Sequence, residues 1–154
     1  MKKRLLIHHD CIEIPAILWG NSLDRLIIAV HGDMSNKEDK VIELLAESAI
    51  SKNYSVLSFD LPEHGDRKNN HDYECNPSHC VSDLRAVYSY VSALSAEIDL
   101  FACSIGVYFS LLALHGEKPI RSVVSHSGQN HAQSAASRAS GHRTEQNVDR
   151  RFVA

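Results

Sequence analysis

One stretch leaves this chain few ways to fold. A short, mostly apolar run, Ile98 to Ala102, is followed closely by a longer one, Val107 to Leu114. The first has the length of a buried strand. The second has the length of a helix, and His115-Gly116 supplies a stop. Only a tight turn fits between them, with Ser104 at its apex. Ala102 precedes Ser104 by two residues and Gly106 follows it by two. Small side chains are needed at both places if strand and helix backbones nearly touch. A helix N-terminus directly behind the Ser104 hydroxyl can stabilise negative charge.

The upstream chain repeats the theme. Lys3 to Trp19 reads as a hairpin of two strands, with Pro15 marking an edge position. Leu26 to Val30 is a continuous apolar run, as expected of a strand covered on both faces. His31-Gly32-Asp33 follows directly. Ser35 with Glu38 three residues on is a capping-box pattern, so a helix is expected to start at Ser35. Its apolar face would be Val41, Leu44, Leu45 and Ala49. Val56 to Phe59 is the next strand, ending in Asp60-Leu61-Pro62-Glu63-His64-Gly65. Arg67 to Asn76 is polar and reads as a surface loop. Asn76-Pro77 suits a helix start, and Val81, Leu84, Tyr88, Val91 and Leu94 would line that helix's inner face. Val123-Val124 is the last convincing strand. Strands alternating with helices predict an α/β fold, a mostly parallel sheet with helices on both faces. Ligands of such sheets bind at the carboxyl ends of the strands. His31, Asp60 and Ser104 all fall there.

Composition narrows the function classes. The 154 residues are 44% hydrophobic and 23% charged, with a formal net charge of -3 and scattered basic residues. That argues for a globular chain with no nucleic-acid partner. No run has the length of a membrane span. The apolar Leu5-Leu6-Ile7 is too short for a signal peptide, and four cysteines then imply free thiols and a cytoplasmic setting. Cys103 is a rival to Ser104 as nucleophile, but its turn would be flanked by the bulky Phe101 and Ile105. His71, Cys75, His79 and Cys80 match no zinc-site spacing, so no metal is expected.

Three motifs now stand in order: His31-Gly32, Asp60-Leu61-Pro62-Glu63-His64-Gly65, and Ala102-Cys103-Ser104-Ile105-Gly106. Together they resemble the α/β-hydrolase superfamily over roughly residues 12–125. The family's second motif often has Gly where this chain has Glu63, and Ala102 replaces the usual first Gly of the nucleophile elbow. The resemblance implies Ser104 as nucleophile and the backbone N–H groups of Asp33 and Ile105 as oxyanion-hole donors. It makes His31 and His64 loop-shaping residues. It implies a small-molecule acyl substrate (an ester, thioester or amide) and no cofactor.

The resemblance stops after Val124. Relatives continue with strands that carry the acid and, last, the His base. Here Ser125 to Ala154 is rich in Ser, Ala, Gln, Asn, Arg and His. The expected organisation is therefore a hydrolase-like core over residues 1–125 and a poorly ordered polar tail over 126–154, either a truncated or frame-altered end or a divergent tail. His126, His131 and His142 are the candidate substitute bases, with His126 and His142 singled out. A second reading follows: a catalytically impaired remnant that binds a ligand or partner, its last strand an uncovered edge open to a homodimer.

Overall fold

A computed structural model describes residues 1–115 and the backbone of residues 120–126. Six strands and three helices follow one another in these residues: β1 (Lys2–His9), β2 (Ile12–Trp19), β3 (Arg25–Val30), α1 (Lys40–Ser51), β4 (Ser55–Phe59), α2 (Pro77–Leu94), β5 (Glu97–Cys103), α3 (Ile105–Leu114) and β6 (Ile120–His126). They form one sheet of order β1-β2-β4-β3-β5-β6. The β1–β2 hairpin is antiparallel, and β2 lies antiparallel to β4. The remaining strands, β3 to β6, are mutually parallel. The sheet is thus mostly parallel, as expected, with an antiparallel hairpin at one edge. Among the described residues no helix is long and apolar enough to cross a membrane.

The central strands are apolar on both faces because both faces are covered. One core packs Leu26, Ile28, Val30 and Leu57 against Leu84, Val87 and Val91 of α2 and Phe109 and Ala113 of α3. The other packs Ile27, Ala29 and Val56 against Ile42, Ala46 and Ala49 of α1. Burying a residue such as Leu84 stabilises the fold by roughly 1.5–3 kcal/mol.

Three local expectations are corrected. The helix expected from Ser35 begins instead at Lys40, capped by Asp39, whose carboxylate accepts from the Val41 N–H at 2.9 Å. Glu38 is drawn off to Lys2 and Arg4, at 2.6 and 2.7 Å, so no capping box closes. The buried stripe of α1 is Ile42, Ala46 and Ala49, while Leu44 is 53% exposed. The small alanines let the helix approach the sheet closely. Finally, Arg67, expected on a surface loop, is buried and donates to Asp83 of α2 at 2.5 Å. The α2 start is as the sequence implies: the Asn76 side chain accepts from the His79 N–H at 2.9 Å, with Pro77 at the first helical position.

The strand order also explains where a cleft opens. The chain leaves β3 for α1 on one face and leaves β5 for α3 on the other. β3 and β5 are neighbours, so the two exits diverge at their carboxyl ends. Such a switch point leaves a crevice in open α/β sheets.

Candidate active site

Ser104 occupies that crevice. β5 ends at Cys103 and α3 begins at Ile105, two residues earlier than the apolar pattern implied, so Ser104 alone makes the turn. Its backbone lies at φ 47° and ψ -120°, a costly conformation for a residue with a side chain. Gly106 shows what the sharp turn demands. A Cβ there would lie 2.5 Å from the His31 carbonyl oxygen and 2.9 Å from Val30 Cγ1. The helix therefore starts directly against the end of β3. Gly32 approaches from the other side, where an added Cβ would meet Ser104 Cβ at 3.2 Å.

The cleft holds about 380 Å³ and is lined by His31 to Ser35, Asp39, Val41 and Ile42 on one wall and Cys103 and Ser104 on the other. Ser104 is exposed. Asp33 shares the cleft, and Ile105, as the first residue of α3, has a backbone N–H with no acceptor within its own helix. Burial pushes the Cys103 thiol up to about 11, which leaves almost no thiolate at neutral pH.

His31 is spent on structure. It is 1% exposed, its Nδ1 donates to the Gly32 carbonyl at 2.7 Å, and its Nε2 accepts from the Leu61 N–H at 3.0 Å. Burial lowers its pKa to about 4, against the opposing bond to Gly32, so the ring is neutral. His64 is also engaged, with Nδ1 2.8 Å from the Pro62 carbonyl and Nε2 3.4 Å from Asp33. Glu63, in the place of the motif glycine, takes φ 59° and accepts from the Cys75 N–H at 2.8 Å. Asp60 is fully buried and belongs to its own loop, as shown by its bonds to Lys37 and to the Asp66 N–H.

The structure therefore brings Ser104, Asp33 and Ile105 to one strand edge. His126 stands in register with Cys103 at the end of β6, which places its backbone on that same edge. Of the tail expected over 126–154, His126 is the last residue of β6, and the rest, His142 included, lies outside the described residues. Cys75 and Cys80 are free thiols with sulfurs 3.7 Å apart, and His79 Nδ1 lies 2.9 Å from the Glu74 carbonyl. Sequence reasoning missed Lys37, a buried lysine between cleft and β4. No periodic signal marks it.

No known sequence family and no curated protein matches the chain. Solved structures do. A cold-adapted esterase from an Arctic intertidal metagenomic library matches with TM-score 0.66 at 20% identity, over 80% of this chain and 59% of its own. Est1E from Butyrivibrio proteoclasticus, solved with ferulic acid bound, matches with TM-score 0.65 at 22% identity, over 75% of this chain and 49% of its own. Dienelactone hydrolase from Anabaena variabilis matches with TM-score 0.67 at 16% identity, over 81% and 62%. This chain has the α/β-hydrolase fold. It spans less than two thirds of each of these proteins.

Proposed function

We propose that this chain is a serine hydrolase that transfers an acyl group from an ester, thioester or amide to water, with Ser104 as nucleophile. The observation that carries the proposal is Ser104 itself: exposed in the cleft, at φ 47°, between the last residue of β5 and the first of α3. In this reading Ser104 Oγ attacks the substrate carbonyl carbon and its proton passes to a base. The tetrahedral oxyanion is held by the N–H groups of Asp33 and Ile105, each such donor being worth about 3 kcal/mol in the transition state. Collapse breaks the bond to the leaving group, which takes the proton, and water then cleaves the acyl-enzyme.

The base is assigned to a residue other than His31 and His64, whose ring nitrogens are committed. His126 and His142 are the candidates, His126 the better placed by register. Those committed histidines also favour the second reading, an impaired hydrolase-like domain that binds a ligand or a partner. A cytoplasmic setting is part of the proposal and rests on four free thiols. The homodimer draws no support from the described residues. At the β1 edge, exposed Lys2, Lys3 and Arg4 oppose edge-to-edge pairing.

An activated aryl ester separates the readings. The hydrolase should turn it over, Ser104→Ala should abolish turnover, and His126→Gln or His142→Gln should lower the rate if that residue is the base. Undiminished turnover in Ser104→Ala would remove the proposal. Dependence on Ser104 with indifference to both histidines would leave a hydrolase without a base.

A further inference from the structure

We infer that Lys37 is a positioning residue for the segment that carries the Asp33 N–H, holding it against Ser104 through a buried ionic clasp with Asp60 and Asp66. The inference rests on the hydrolase reading for its catalytic consequence, though the clasp itself is structural.

Residues 31–39 join β3 to α1 and lie in neither strand nor helix, yet His31 to Ser35 and Asp39 among them line one wall of the cleft. Regular backbone pairing does not fix them, so side chains must. His31 fixes the first end through Leu61. The Asp33 carboxylate accepts from the neighbouring Met34 N–H at 3.0 Å and, beyond its own segment, contacts His64 at 3.4 Å. Lys37 fixes the far end with four bonds. Its N–H donates to Asp60 Oδ1 at 2.9 Å, and its Nζ donates to Asp60 Oδ2 at 2.6 Å and to Asp66 Oδ2 at 2.7 Å. Its carbonyl accepts from Ser58 Oγ at 2.7 Å, which in turn accepts from Trp19 Nε1 at 2.9 Å.

Lys37 is 2% exposed and Asp60 0%. Burial alone would lower the lysine's pKa, but the bonds to Asp60 and Asp66 outweigh it and hold the pKa above the usual value. Lys37 therefore stays charged. The Asp60 carboxylate is enclosed so closely that a Cβ on Gly65 would lie 2.2 Å from it. Asp33 sits between the two anchors, four residues before Lys37, and Gly32 beside it touches the Ser104 turn. Releasing Lys37 frees the wall at the point where an oxyanion donor is needed, and misplacement of about 1 Å costs roughly 100-fold in rate.

The test uses the full chain with Lys37→Met paired with Asp60→Asn, so that no lone charge is left buried. Asp66→Asn, at the half-exposed end of the clasp, serves as a milder second variant. Amide hydrogen exchange across residues 32–37 is measured beside α2 as an internal control. Aryl-ester kcat and KM and inhibition by an arylboronic acid are measured in parallel. Faster exchange confined to residues 32–37 is expected, with kcat reduced roughly 10- to 100-fold, KM nearly unchanged and boronate affinity falling with kcat. Asp66→Asn should move the same readouts less, in the same direction. Unchanged exchange at 32–37, or unchanged kcat in a folded variant, overturns the inference; if the double variant does not fold, Asp66→Asn decides by the same criteria. Should the wild type show no Ser104-dependent turnover, the hydrolase reading fails while the exchange result still decides the clasp.

Discussion

Gly106 and His31 are the residues on which the turn geometry depends most. Gly106→Ala would drive a Cβ into the His31 carbonyl oxygen and Val30 Cγ1. Backbone cannot rotate out of the way as a side chain can. The substitution should cost roughly 1–3 kcal/mol in a urea melt, and it should lower Ser104 reactivity even where the protein is folded. His31 gives a pH signature. Its folded pKa, about 4, lies below its ordinary 6.5, so the unfolded chain binds the extra proton between those values. Stability is full above about pH 6.5 and falls as pH drops toward 4, by about 3 kcal/mol in total. His31→Gln should flatten this slope in denaturation measured from pH 4.5 to 7. A slope unchanged in that variant would show that other groups carry it.

At the scale of elements, the start of α1 separates a true cap from an apparent one. Asp39→Ala removes the bond to the Val41 N–H and should cost about 1 kcal/mol. Glu38→Ala breaks only surface pairs with Lys2 and Arg4 and should cost about 0–1 kcal/mol. Equal costs in the two melts would contradict the assignment. The strands were legible because β3 and β5 are covered on both faces and read as near-continuous apolar runs. The start of α1 was not, because Ser35 and Glu38 fit a local pattern that Lys37 overrides from a distance by its bonds to Asp60. The stripe of α1 misled in part: Ala49 is buried as expected, but Ala46 is buried for its small size, which hydrophobicity alone does not signal, while Leu44 is exposed. The Arg67–Asp83 pair had one trace in sequence, an aspartate among the apolar positions of α2, but nothing local names its partner. The strand-to-helix turn at Ser104 was legible because its demands are local: small residues at 102 and 106 around one serine.

Across the whole molecule, two ionic ties fasten the loop after β4 to its surroundings: Lys37 with Asp60 and Asp66 on the cleft side, and Arg67 with Asp83, which also accepts from the Tyr73 hydroxyl, on the α2 side. Arg67 Nη2 is already buried without a hydrogen-bond partner among the described residues. Asp83→Ala would strip the guanidinium of its carboxylate as well and should destabilise the fold by roughly 3–5 kcal/mol in chemical denaturation. A cost near zero would mean that Arg67 swings out to water. The central claim remains chemical, and covalent labelling tests it most directly. The native protein is incubated with a fluorophosphonate probe and its mass is measured beside that of Ser104→Ala. One probe should add to the native chain, on the peptide carrying Ser104, and none to the variant. No labelling of the folded native protein, or equal labelling of the Ser104→Ala variant, would contradict the account.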